Sequence, residues 1–169
     1  MGTIADMLFL AKADNNLLIP LREEVDLRAE VSSLLEYYEA YADEKQLQLS
    51  YSGEAAIAGD RLMLRRAIGN LLSNAVRHTP KRGRIAIELT ETPEGETVVS
   101  VENTGDTIAP EHLPRLFDRF YRADASRQHY GEGSGLGLAI TRSIVQAHGG
   151  EVSVMSENGL TRFSIRFPR

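Results

Sequence analysis

Apolar residues return every three or four positions along Arg61 to His78. At about 100° per residue, Leu64, Ile68, Leu71, Leu72 and Ala75 share one face of a helix. Arg66, Asn70, Asn74, Arg77 and His78 share another. Asp60 stands at the N-cap position, and Thr79-Pro80 and Gly83 end the pattern. Leu27 to Lys45 carries a second helical stripe through Val31, Leu34-Leu35, Tyr38 and Ala42. A third helix is predicted from Leu136 to His148. Ile4 to Ala13 reads as a short helix, marginal on its own, with Ile4, Met7, Leu8, Leu10 and Ala11 as its apolar residues.

The remaining pattern predicts strands. Arg22 to Asp26 and Ala56 to Ala58 are short, and Gln46 to Tyr51 alternates around Leu47, Leu49 and Tyr51. Arg84 to Glu91 and Thr97 to Asn103 flank a polar turn at Thr92-Pro93-Glu94-Gly95-Glu96. Glu151 to Ser156 and Leu160 to Phe167 flank Asn158-Gly159 as a second hairpin. Thr104 to Gly135 is long and mostly irregular, with a short helix expected at Pro110 to Phe120. Loops of that length in compact domains are usually functional lids or disordered. The fold class is therefore α+β: a two-layer α/β sandwich with a mixed, mostly antiparallel sheet of about five strands on three helices, and a long lid.

A chain of 169 residues, 42% apolar, suffices for one domain with a core and an appendage. Its net charge of −5 gives no support to nucleic-acid or anionic-membrane binding. The absence of cysteine removes thiol catalysis, disulfides and cysteine-based zinc sites. No apolar run approaches a membrane span and no signal peptide is visible.

Candidate chemistry concentrates in two places. Gly131, Gly133, Gly135 and Gly137 alternate directly before the third helix. Glycines permit close backbone approach, and a helix start offers unpaired N–H groups and partial positive charge, which together suit a polyphosphate. No Lys-Ser or Lys-Thr follows the last glycine, so this is not a Walker A loop. Arg122 to Tyr130 lacks strand alternation, which excludes a dinucleotide fingerprint. The second place is the Arg61–His78 helix, where Asn70 and Asn74 lie one turn apart. A neutral amide oxygen is a suitable ligand for Mg²⁺, whose other ligands come from phosphates and water. Arg77 can meet phosphate and His78 can stack on a base.

The run Asn70-Leu71-Leu72-Ser73-Asn74-Ala75-Val76-Arg77-His78-Thr79 resembles the N box of bacterial sensor histidine kinases. Phe117-Asp118-Arg119-Phe120-Tyr121-Arg122 resembles their F box, and Gly133-Ser134-Gly135-Leu136-Gly137-Leu138 their second glycine box. With Asp6 to Asp14 and Ile108 to Pro114, the chain is similar to heavy-metal sensor kinases of the copper/silver type.

The resemblance implies the Bergerat ATP-binding fold, shared with gyrase B, Hsp90 and MutL. Asn74 would hold Mg²⁺ and Asn70 would assist at the phosphates. Arg77 would contact phosphate, and Arg122 would reach the γ-phosphate from the lid. His78, Asn103, Gly105, Ile108 and Tyr121 would belong to the nucleotide site, with His78 flanking the adenine. Gly133, Ser134, Gly135, Leu136, Gly137 and Leu138 would line the triphosphate, and Phe117, Phe120 and Tyr121 would anchor the lid. The cofactors implied are ATP and Mg²⁺. The implied partners are an upstream dimerisation and phosphoacceptor domain and, through it, a response regulator. The implied setting is the cytoplasmic part of an inner-membrane sensor, dimeric at full length, with this chain a monomer. Residues 1–14 then correspond to the end of the upstream domain's second helix, 15–20 to a linker and 21–169 to the catalytic domain. Met1-Gly2-Thr3 is read as an expression scar.

Two departures stand out. The first glycine box of that family is Asp-x-Gly-x-Gly, whereas this chain has Asn103-Thr104-Gly105-Asp106-Thr107. Asn103 can accept from the adenine amino group without charge, and charge-assisted bonds are roughly twice as strong, so weaker ATP binding is expected. Thr107 stiffens a turn where the family has glycine. In addition, none of His78, His112, His129 and His148 has the His-Glu/Asp-x-x-Asn/Thr-Pro setting of the phosphoacceptor, so self-phosphorylation is not expected. The rivals are an ATP-dependent conformational module, an anti-sigma serine kinase and a nucleotide-free interaction domain. No acid lies between Arg61 and His78 to activate water, which disfavours the first. The F box and the N-terminal helix argue against the second, and the N box and glycine loop against the third.

Overall fold

The computed structural model describes residues 2–121 and 135–169, with side chains from residue 4 onward. Seven strands and four α-helices are present among these residues. Strands β1 (Glu23–Asp26) and β3 (Ala56–Gly59) form a separate antiparallel pair. The main sheet runs β2-β4-β5-β7-β6, from β2 (Gln48–Ser52), β4 (Arg84–Glu91) and β5 (Thr97–Thr104) to β7 (Leu160–Phe167) and β6 (Glu151–Glu157). Among the described residues β2 and β4 pair in parallel; the β4–β5 and β6–β7 hairpins and the β5–β7 pair are antiparallel. The β6–β7 turn places Asn158 at φ 53° and Gly159 at φ 79°, two successive left-handed residues that close a tight hairpin.

Alternation sends Ile85, Ile87, Leu89, Val99, Val101, Phe163 and Ile165 into the core, against helices α2 (Leu27–Lys45) and α3 (Arg61–His78). Leu64, Ile68, Leu71 and Leu72 of α3 are fully buried there. Asp26 caps α2 by accepting from the Ala29 N–H, and Asp60 caps α3 by accepting from Met63. Gln46 at φ 57° ends α2 and delays β2 to Gln48, two residues later than its pattern begins.

A second apolar cluster joins α1 (Gly2–Asp14) to α4 (Gly137–Ala147) through Leu10, Ala67, Leu136, Ala139, Ile140 and Ile144. Arg66 reinforces it, lying 2.7 Å from the Asp6 carboxylate and 4.6 Å from the centre of the Phe9 ring. Arg119 pairs with Asp14 at 2.6 Å.

The helix expected over Pro110 to Phe120 is not formed; only Leu113–Arg115 makes a 3-10 helix. Proline 114 has no N–H to continue an α-helical ladder, and the neighbouring amides bond three residues back instead. Helix α4 begins at Gly137 rather than Leu136, and His148 is its C-cap. No helix among the described residues is long and apolar enough to cross a membrane.

His148 joins the two ends of the domain and is 3% exposed. Its Nδ1–H donates to the Ile144 carbonyl at 2.8 Å, and its Nε2 accepts from the Asp60 N–H at 3.0 Å. Only the neutral imidazole satisfies both bonds. Burial pushes its pKa below the ordinary value; the Ile144 bond opposes this, Arg22 lowers it further and Asp60 opposes. The unfolded chain therefore takes up this proton first as pH falls. The stability it contributes is complete above about pH 6.5 and is lost as pH falls through the folded-state value. Urea midpoints between about pH 8 and 5 are expected to fall less steeply in His148→Gln than in the parent chain. Identical pH slopes in the two proteins would refute the assignment.

Candidate functional site

Outside its fully buried stripe, α3 carries Asn70, Asn74 and Arg77, all half-buried, and an exposed His78. Asn70 Nδ2 donates to the Gly137 carbonyl at 3.1 Å, tying α3 to the first residue of α4. A Cβ on Gly137 would sit 3.8 Å from the Asn70 side chain, an ordinary van der Waals contact. Thr141 Oγ1 donates to the Ala67 carbonyl at 3.3 Å and pins the next turn of α4. Asn74 lies one turn beyond Asn70, and its amide has no hydrogen-bond partner among the described residues. Arg77 Nη1 donates to Ser73 Oγ at 3.0 Å. Behind it, burial pushes the Tyr38 phenol above its usual range, opposed by a hydrogen bond with Ser73.

The end of β5 meets the end of α3. Asn103 is 5% exposed and lies on the inner sheet face with Val99 and Val101. Its Nδ2 donates to the Thr104 carbonyl at 3.1 Å, which leaves Oδ1 as the available acceptor. Gly105, at φ 154°, passes so near α3 that a Cβ there would lie 3.1 Å from the His78 carbonyl oxygen and 3.3 Å from Pro80 Cδ. The following loop is held by the β6–β7 hairpin. Gly105 N donates to the Gly159 carbonyl at 2.9 Å, and Gly159 N donates to Thr107 Oγ1 at 2.8 Å. Ile108 N donates to Ser156 Oγ at 2.8 Å, and that hydroxyl also meets Thr161 Oγ1 at 2.8 Å. The Ile108 side chain packs against the core.

Residues 116–121 form the third part. Phe117 is buried against Phe163, edge to face, with ring centres 6.0 Å apart. The Phe120 ring is 55% exposed, and most of the lid it was expected to anchor lies outside the described residues. Its backbone joins the two described ends of that stretch: Phe120 N donates to the Gly135 carbonyl at 2.8 Å. Gly135 has φ 82°, and a Cβ on it would lie 2.9 Å from Phe120 Cα. Tyr121 hydrogen-bonds through its hydroxyl to His112 Nδ1, and Arg115 stacks 4.6 Å from its ring centre. Leu136 is fully buried in the α1–α4 cluster, so only its backbone can meet a ligand. Leu138 is half-buried against the main core. Arg122, Gly133 and Ser134 lie outside the described residues.

Asn70, Asn74, Arg77, His78, Asn103, Gly105, Gly135 and Gly137 thus come from three separate stretches and are joined into one neighbourhood by direct contacts. It offers neutral amides, a guanidinium and a helix N-terminus, a set suited to a polyanion attached to a hydrogen-bonding ring. Thr107, which stands where the first glycine box has glycine, belongs to the same neighbourhood, as do Ser156 and Thr161, which belong to no motif. Their signal in the sequence is weak: Ser156 and Thr161 are polar residues at inward-facing strand positions.

A family model described as histidine kinase-, DNA gyrase B-, and HSP90-like ATPase matches residues 59–169. The sensor histidine kinase CusS of Escherichia coli O6:H1 is 54% identical over 166 residues, which are 98% of this chain and 34% of that protein. The probable sensor kinase SilS of Salmonella typhimurium is 48% identical over 171 residues, again 98% and 34%. The chain therefore spans about a third of the length of these relatives. Among solved structures, full-length ShkA in complex with AMPPNP aligns with a TM-score of 0.84 at 28% identity, covering 96% of this chain and 34% of that one.

The contact between Gly135 and Phe120 tolerates no side chain. Gly135→Ala is expected to lower stability by about 2 kcal/mol or more, from the left-handed backbone and the contact with Phe120 together. Urea unfolding measures the loss, and an unchanged midpoint would show that the two backbones do not meet.

Proposed function

This chain belongs to the histidine kinase-, DNA gyrase B- and HSP90-like ATPases, and from that membership we propose that it is the catalytic ATP-binding domain of a sensor histidine kinase acting in heavy-metal sensing. The observation that carries this reading is the hydrogen bond from Asn70 to the first residue of α4, with Asn74 unpaired among the described residues beside it. The bond sets the Asn70 amide at a helix N-terminus, where a triphosphate is favoured, with Asn74 one turn along the same helix.

In this reading Asn103 Oδ1 accepts from the adenine amino group, with Gly105 and Ile108 alongside and His78 flanking the ring. Tyr121 closes the site from the F-box side. Gly133, Ser134, Gly135, Leu136, Gly137 and Leu138 are assigned to the triphosphate. Arg77 and Arg122 offset their charge. Asn74 is the Mg²⁺ ligand. The donor set fits that ion: Asn74 offers a half-buried neutral amide oxygen, a hard ligand of the kind Mg²⁺ accepts. Mg²⁺ binds through few protein ligands together with phosphates and water. The ion supplies charge neutralisation at the phosphates. Phosphoryl transfer depends on positioning and electrostatics more than on covalent help. Asn70, held by the Gly137 carbonyl, contributes positioning, and Arg77, steadied by Ser73, contributes charge.

The accepting histidine lies on an upstream helical hairpin. Residues 1–14 are the end of that hairpin's second helix, 15–20 the linker and 21–169 the catalytic domain. The chain binds ATP but does not phosphorylate itself; His148, buried and bonded at both nitrogens, is structural. A response regulator receives the phosphoryl group in turn, on the cytoplasmic side of the inner membrane. Helix α3 carries no acid to activate water, which separates this reading from an ATP-hydrolysing module.

Calorimetric titration with a non-hydrolysable ATP analogue tests the site. Asn74→Ala is expected to abolish most of the Mg²⁺-dependent gain in affinity; a gain equal to the parent's would remove Asn74 from the metal site. Asn103→Asp is expected to tighten ADP and analogue binding by about 3- to 10-fold, because the acceptor becomes charged. Unchanged or weaker binding would count against Asn103 as the base acceptor.

A further inference from the structure

The β6–β7 hairpin lies outside every motif, yet its tip and the ends of its strands hold the loop that follows Asn103. The sheet register sets Asn103 opposite Thr161 and Thr161 opposite Ser156. All three are on the inner face, forming a polar row across β5, β7 and β6 at the end of an otherwise apolar surface. Thr161 and Asn103 are each 5% exposed. The row has a fixed outlet: Ser156 Oγ takes the Ile108 N–H at 2.8 Å. From the other side Thr107 Oγ1 takes the N–H of Gly159 at 2.8 Å, and the Gly159 carbonyl takes that of Gly105 at 2.9 Å. The stretch from Gly105 to Ile108 is thus bonded to the hairpin at three of its four residues. A glycine at position 107 could make no such bond.

We propose that the β6–β7 hairpin pre-sets the base-binding side of the nucleotide site, with Thr107 as a positioning residue acting through the Gly105–Ile108 loop. This rests on the reading of Asn103 and Ile108 as base contacts. The loop residues give up backbone freedom when the chain folds rather than when the base arrives, and such pre-organisation favours binding. The neutral acceptor Asn103 is thereby partnered with a stiffened loop.

The test is titration of this chain with AMP, ADP and a non-hydrolysable ATP analogue, with and without Mg²⁺. Thr107→Val keeps the shape and removes the hydroxyl. It is expected to weaken all three ligands by a common factor of about 3 to 10, the size of one neutral hydrogen bond with its ordering effect. The Mg²⁺-dependent gain should be untouched, and Thr107→Ser should restore affinity. In an Asn103→Ala background, Thr107→Val should have little further effect, since the two act on one contact. Parent-like affinity in Thr107→Val overturns the proposal. So does an undiminished loss in the Asn103→Ala background, or a loss confined to the ATP analogue. If Asn103→Ala alone binds AMP like the parent, the base reading itself fails and the inference falls with it, a result distinct from the others. Should Thr107→Val not fold, Ser156→Ala removes the Ile108 tether from the opposite side and is judged by the same outcomes.

Discussion

Helix α3 is committed on two sides, and the remaining architecture follows from that. Its apolar face, Leu64, Ile68, Leu71 and Leu72, is wholly buried. Each such side chain contributes on the order of 1.5 to 3 kcal/mol on removal from water. The two asparagines on its other side cost helix stability of well under about 1 kcal/mol each. The core therefore dictates where Asn70 and Asn74 stand, and packing and site geometry are a single property of one helix. The link from Asn70 to Gly137 passes that positional accuracy on to α4.

Much of this was legible in the pattern of residues. The faces of α3, the cap at Asp60 and both hairpins follow from periodicity and turn chemistry, because each is decided within a few residues. What was not legible depends on contacts between distant parts of the chain. Phe120 sits at φ 61° with its ring 55% exposed, and its backbone N–H meets the Gly135 carbonyl, a contact between residues 15 positions apart that no local pattern announces. Leu136 stands within a glycine motif and is nonetheless core, because α1 arrives from the other end of the chain to cover it. Thr107 departs from a family pattern, and the partner that gives it meaning is a backbone N–H 52 residues away.

Helix α4 is buried on more than one side. Val145 faces the main core, while Ala139, Ile140 and Ile144 face α1. Helix α1 is fastened to the same region by charge as well as by apolar contact, with Asp6 on Arg66 of α3 and Asp14 on Arg119 of the F-box segment. An element outside the family match at residues 59–169 therefore touches two of the stretches that build the site.

The pairing of Phe120 with Gly135 has a consequence for how the chain can vary in length. It fixes both ends of the intervening sequence on the folded body. Once two ends are fixed, the entropic cost of the chain between them grows only with the logarithm of its length, about 0.6 kcal/mol for each doubling. Insertions and deletions placed between these two residues should leave the fold almost indifferent, whereas a single residue added on the body side of either would shift the register of the pairing itself. Freedom to vary the sequence between these two residues is thereby separated from the requirement to keep the domain folded.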